Sequence, residues 1–153
     1  MNITARMPTN MGLKSPLLIA LVINFIWING SEVFRYFAFV MPMMREAFPS
    51  VPDVAPMNIL VFLIWGIWDT ILVLSATFIP WLVMGNLGAS LRRAILAGTG
   101  VWLTVFVILW LGLFNMNLAT LEVLVIALPL AWIEMVVASI VVWIFVFRSQ
   151  DLQ

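Results

Sequence analysis

Asn24-Phe25-Ile26-Trp27-Ile28-Asn29-Gly30-Ser31-Glu32-Val33-Phe34-Arg35 sits inside an apolar run from Leu17 to Val40. In a loop these residues would be ordinary. In a helix surrounded by hydrocarbon, two Asn, a Ser, a Glu and an Arg find no hydrogen-bond partners in the solvent. A charge at the bilayer centre costs about 2.5–3.5 kcal/mol on insertion scales, so such groups need partners or water. The other deep charges are Asp69 and Glu134, each near the middle of its own apolar run. The expected organisation is a set of helices gathered around these groups.

Composition supports a membrane solvent. Of 153 residues 65% are apolar and 9% charged, too little polar surface to cover a water-soluble globule. The apolar runs account for most of the length, so one membrane domain over residues 1–153 is expected. Net charge is zero and no basic patch exists, so nucleic acid is not an expected partner. The chain has no Cys and no His. That removes disulfides, thiolate nucleophiles, imidazole metal ligands and the Ser-His-Asp arrangement, and no cofactor is expected.

Working outward from the opening stretch, Ser15-Pro16 reads as a helix start, Ser as cap and Pro at the first helical position. The first helix is expected over about 17–41, stopping before Pro42. A cleaved signal peptide competes, because Lys14 precedes an apolar core. The run outlasts a short signal core, however, and Ile28-Asn29-Gly30 is a poor cleavage site. Residues 43–55 form a loop broken by Pro49 and Pro52, with Phe48, Val51 and Val54 placed to lie on the membrane or fold over the bundle. An ordinary connection is the simpler reading. Pro56 opens a second helix over about 57–84, with Gly85 placed to end it. Ser90 caps a third over about 91–114, and Asn117 a fourth over about 118–147. Each exceeds the roughly 20 residues that span a bilayer. The fold class is all-α, four transmembrane helices in an antiparallel bundle.

Arg6, Lys14, Arg92, Arg93 and Arg148 fall on one side of that bundle and only Arg45 on the other. The positive-inside bias then places both termini in the cytoplasm and the chain in an inner or plasma membrane. Arg92 and Arg93 stand in the first turn of a helix, where the macrodipole disfavours each by about 0.3–1 kcal/mol. Attraction to an anionic leaflet, about 1 kcal/mol per basic residue, offsets this. Trp81, Trp110 and Trp143 fit an interfacial belt, whereas Trp27, Trp65, Trp68, Trp102 and Trp132 lie deeper and read as packing.

Helical periodicity assigns the faces. Asn24, Ser31, Arg35 and Ala38 share one, with Glu32 at its edge and able to reach Arg35 at i,i+3. Asn58, Phe62, Trp65, Asp69, Ala76 and Pro80 share another. Ala127, Leu130, Ala131, Ala138 and Val141 flank Glu134, and Ala97, Gly100 and Thr104 give the third helix a small face. The combined interior holds Asn24, Arg35, Asp69, Thr104 and Glu134. At 1.5 Å per residue the acids fall at graded depths of roughly 14 Å for Glu32, 18 Å for Asp69 and 24 Å for Glu134. A Glu32–Arg35 pair leaves Asp69 and Glu134 without an evident cation. They then carry protons, or face water or a bound cation. Glu122 lies in a first helical turn and reads as structural.

Three functions are compatible with this constellation. A carrier or binding protein for a small cationic or amphipathic molecule would use Asp69, Glu134, Glu32, Arg35, Trp65 and Asn24. Charge attracts the cation, an indole face adds about 0.5–2 kcal/mol, and titrating carboxyls could couple proton movement. The architecture resembles that of small multidrug carriers, with no motif along the chain carrying the likeness. Four helices enclose little volume, so a homodimer or larger assembly is expected. A non-catalytic subunit would instead pair its polar groups with another membrane protein. An intramembrane lipid-modifying enzyme would use two carboxyls as acid and base, but nothing else in the chain specifies a reaction.

Overall fold

The computed structural model describes residues 14–148. Arg6 and the polar tail beyond Arg148 lie outside the described residues. Four apolar helical spans run Pro16–Ala47, Ile59–Leu87, Leu91–Asn115 and Leu121–Phe147, with 32, 29, 25 and 27 residues. At 1.5 Å per residue even the shortest reaches about 37 Å, beyond the roughly 30 Å of hydrocarbon it must cross. The expected four-span antiparallel bundle is present. Its loop face carries the connections after the first and third spans. Its terminal face carries the 88–90 turn and the ends nearest the chain termini.

The helix ends differ from the expected ones, each for a local reason. Pro42 does not stop the first helix. A π-helical turn at Tyr36–Val40 precedes it, with the Met41 N–H bonded to the Tyr36 carbonyl, and the helix continues through Met41–Ala47. The widened turn absorbs the ring and the missing donor. At the other end the helix is already under way at Lys14. The second span is capped by Asn58, whose side chain accepts from the Val61 N–H, rather than opened by Pro56. It passes Gly85 and ends at Gly88, where φ is +94° and a side chain would be strained. Ser90 caps the third span as expected, accepting from the Arg93 N–H at 3.3 Å. Asn117 does not cap the fourth. It turns the chain with φ +56°, which Asn tolerates, and Thr120 takes the cap position.

The fourth span is the most enclosed and packs most closely against the third. Gly98 permits this, because a Cβ there would stand 2.6 Å from the Met135 carbonyl oxygen and 2.8 Å from Val136 Cα. Ser139 Oγ donates to the Ala94 carbonyl at 2.7 Å, and Trp102 Nε1 to the Leu128 carbonyl at 2.8 Å. Trp132 Nε1 donates to Thr99 Oγ1 at 3.0 Å. Small residues and satisfied polar groups thus hold this seam, since lipid supplies no hydrophobic drive between helices.

Three expected faces are corrected. On the first span Ala20, Asn24, Ile28, Glu32 and Arg35 are buried, so Glu32 lies within the inner face; Ala38, beyond the onset of the π turn, is exposed. On the second span Phe62 is 57% exposed, and the inner face is Asp69, Leu72, Val73, Ala76, Thr77, Pro80 and Met84. On the third span Thr104 is exposed and bonds back to the Gly100 carbonyl. A second π turn, Leu103–Val107, shifts the register so that Phe106 follows Val101 into the core.

Candidate functional site

Arg35 stands where the first, third and fourth spans meet. Its Nη1 donates to Glu134 Oε2 at 2.7 Å, and its Nη2 donates to Glu32 Oε1. The Phe106 ring covers the guanidinium, with 4.9 Å from Cζ to the ring centroid. All three charged groups are at most 5% exposed. Spacing on one helix places Glu32 against Arg35. Glu134 arrives from the fourth span, between Ala131 and Ala138, which are fully buried and let the helices approach. Trp27, one turn before Ser31, locks this level by donating its Nε1 proton to the Glu134 carbonyl at 3.0 Å.

This corrects two expectations. Glu134 has a cation after all, shared with Glu32. Nor do those two acids occupy separate rungs, because one guanidinium bonds both. The first helix extends past Pro42 and the fourth begins after Asn117, and both changes bring Glu32 and Glu134 toward a common depth.

Asp69 joins the cluster without a bond to the guanidinium. It lies within electrostatic range of Glu32, Arg35 and Glu134. The Trp65 indole nitrogen, one turn earlier, is close enough to interact with its carboxyl but is not aligned for a hydrogen bond. Among the described residues Asp69 Oδ1, Trp65 Nε1, Glu134 Oε1 and Asn24 Oδ1 are buried polar atoms without hydrogen-bond partners. Asn24 belongs to a separate node two turns from Glu32. Its Nδ2 donates to Thr77 Oγ1 at 3.0 Å and to the Ala138 carbonyl at 3.1 Å, tying three spans together. Among the described residues, no three acidic side chains stand close enough to share a metal ion.

A cavity of about 360 Å³ opens beside the cluster, and Glu32 and Arg35 line its deep end. Tyr36, Trp65, Trp68, Phe106 and Trp110 supply aromatic walls, with Val61, Ile64, Leu109 and Leu113 completing an apolar slot. The slot exists because the second and third spans pack along their terminal-face halves and diverge toward the loop face. The half-exposed Trp68, Ile64 and Leu109 place its side opening toward lipid. Trp110 therefore lines this groove and is not simply part of a belt. The volume is in the roughly 300–1,000 Å³ range of small-molecule sites.

The loop over residues 48–58 is more than a connection. Tyr36 Oη donates to the Ala55 carbonyl at 3.1 Å, as does Arg45 Nη2 at 3.2 Å. Asp53 and Ala55 take left-handed φ values of 54° and 49° to fold the chain back. Met57 lines both the groove and a chamber beneath this loop. Tyr36, Trp68, Trp110, Phe106 and Thr77 were not among the expected site residues. Thr77 was within reach of periodicity, as the neighbour of Ala76, whereas Phe106 was hidden by the π turn.

Comparison with protein-family models, curated proteins and solved structures finds no match for this chain.

Proposed function

We propose that this four-span membrane protein binds a lipophilic organic cation in the groove between its second and third spans. The observation that carries the reading is an aromatic slot lined by Glu32 and Arg35, with the Glu134 and Asp69 carboxyls buried behind them. Arg35 already donates to two carboxyl groups, so it offers little to an anionic ligand. The excess of carboxyls favours positive charge near Trp65 and Asp69, while the ring faces of Trp65, Trp68 and Trp110 attract a cation by about 0.5–2 kcal/mol each. The apolar walls accept the ligand's hydrocarbon, and the opening toward lipid lets it enter from the bilayer, where such molecules concentrate.

The groove lies within one chain, so binding does not need a second copy. The subunit reading has less support, because Arg35 donates to Glu32 and Glu134 and the Asn24 amide N–H group donates to Thr77 and Ala138 within the chain. Transport requires a second opening. Ala20, Met84, Ala94, Val142 and Val146 fill the terminal-face end, and a carrier would have to part that cluster. With the termini cytoplasmic, the groove opens in the outer half of the membrane.

Tryptophan fluorescence of the purified protein, titrated with tetraphenylphosphonium, tests the site. Tetraphenylborate, of the same shape and opposite charge, is the control. Saturable quenching by the cation alone is expected, and Trp68→Ala should weaken it about two- to thirtyfold, one cation–π contact's worth. Equal responses to the two ions, or none to either, would remove the proposal.

A further inference from the structure

We infer that the groove exchanges a proton for its cation, and that Asp69 is the residue that gives the proton up. This rests on the cation site proposed above. The argument is one of charge balance. Glu32 and Arg35 from the first span and Glu134 from the fourth are in contact, and Asp69 from the second lies within electrostatic range of all three. The third span brings Phe106 to this level; its charged residues, Arg92 and Arg93, are at the terminal face. One guanidinium balances one carboxylate, and among the described residues the other two carboxyls have no cation. Net charge held in hydrocarbon is costly, so the empty site is neutral only with protons on those two.

Geometry distinguishes the acids. Glu32 and Glu134 both accept from Arg35 and remain locked to it. Asp69 has no such bond and lies behind the groove lining, its Oδ1 is buried without a partner, and Trp65, one turn earlier, is part of the groove wall. When a monocation enters, the Asp69 O–H bond breaks and the proton passes to bulk base. The carboxylate left behind is the counter-ion, and the site's net charge is unchanged. The groove thereby selects monocations that bring no anion with them.

The test is calorimetric titration of tetraphenylphosphonium into the full-length protein in detergent, near neutral pH, in buffers of different ionisation enthalpy. The dependence of heat on buffer counts the protons released. About one per cation is expected in the wild type, with affinity rising up to about tenfold per pH unit, since binding then competes with protonation. Asp69→Asn should abolish both the release and the pH dependence, and Asp69→Glu should restore them. Saturable binding with buffer-independent heat would overturn the exchange while leaving the cation site standing. Release that persists in Asp69→Asn would overturn the assignment to Asp69. Absence of saturable binding in the wild type would overturn the cation site and the exchange together. The wild-type buffer series decides the exchange by itself if Asp69→Asn does not fold.

Discussion

At the scale of single residues, Arg35 holds the site together. It donates to Glu134 across the helix interface and to Glu32 within its own helix. Removing one partner from a buried ionic group costs more than the group contributes, typically about 3–5 kcal/mol, because the remaining charges lose their compensation. Arg35→Ala should therefore lower thermal stability in detergent by an amount of that order. The triple replacement Glu32→Gln, Arg35→Met and Glu134→Gln, which strands no charge, should recover most of it. Unchanged melting of Arg35→Ala would show that the guanidinium reaches water instead. Half of this arrangement is legible in the sequence. The i,i+3 spacing identifies the Glu32–Arg35 pair, but the link to Glu134 depends on the relative depth of two helices. Depth was set by where those helices begin and end, and Pro42 and Asn117 both mislead on that point.

At the scale of helices, the decisive contact is the crossing of the third and fourth spans at Gly98. Gly98→Ala drives a Cβ into the Met135 carbonyl, which is backbone and cannot rotate away. A loss of about 1–3 kcal/mol is expected from such overpacking. Gly100→Ala is the matched control, because a Cβ there meets nothing within 4 Å, and it should be neutral or gain up to about 1 kcal/mol of helix propensity. Melting both variants side by side checks the pair, and equal losses would disprove the close approach. Periodicity recovers most inner faces, including Ala97, Asp69, Ala131 and Ala138. It fails where a π turn changes the period, which is why Thr104 was expected inside and Phe106 was not. Nothing in Leu103–Val107 announces the wider turn. At Gly85 and Gly88 the failure is different, since either glycine permits a helix end and only Gly88 takes the left-handed conformation.

For the molecule as a whole, the remaining question is which side of the membrane the groove's loop-face end adjoins. Arg92, Arg93 and Arg148 belong to the terminal face, whereas Arg45 is on the loop face and spends its donors on the Val54 and Ala55 carbonyls. At about 1 kcal/mol per basic residue near an anionic leaflet, the terminal face should sit in the cytoplasm even against the dipole penalty at Arg92 and Arg93. The absence of native Cys makes this easy to test, because each introduced thiol is the only one in the chain. Val51→Cys is in the folded-back loop and Leu87→Cys at the opposite face, 53% and 66% exposed in the parent side chains. A membrane-impermeant maleimide applied to intact cells should label Val51→Cys at once, and Leu87→Cys only after permeabilisation. The reverse pattern would place the loop and groove opening in the cytoplasmic half. Ligand would then be drawn from the inner leaflet, and the proton released at Asp69 would have its shortest route into the cytoplasm.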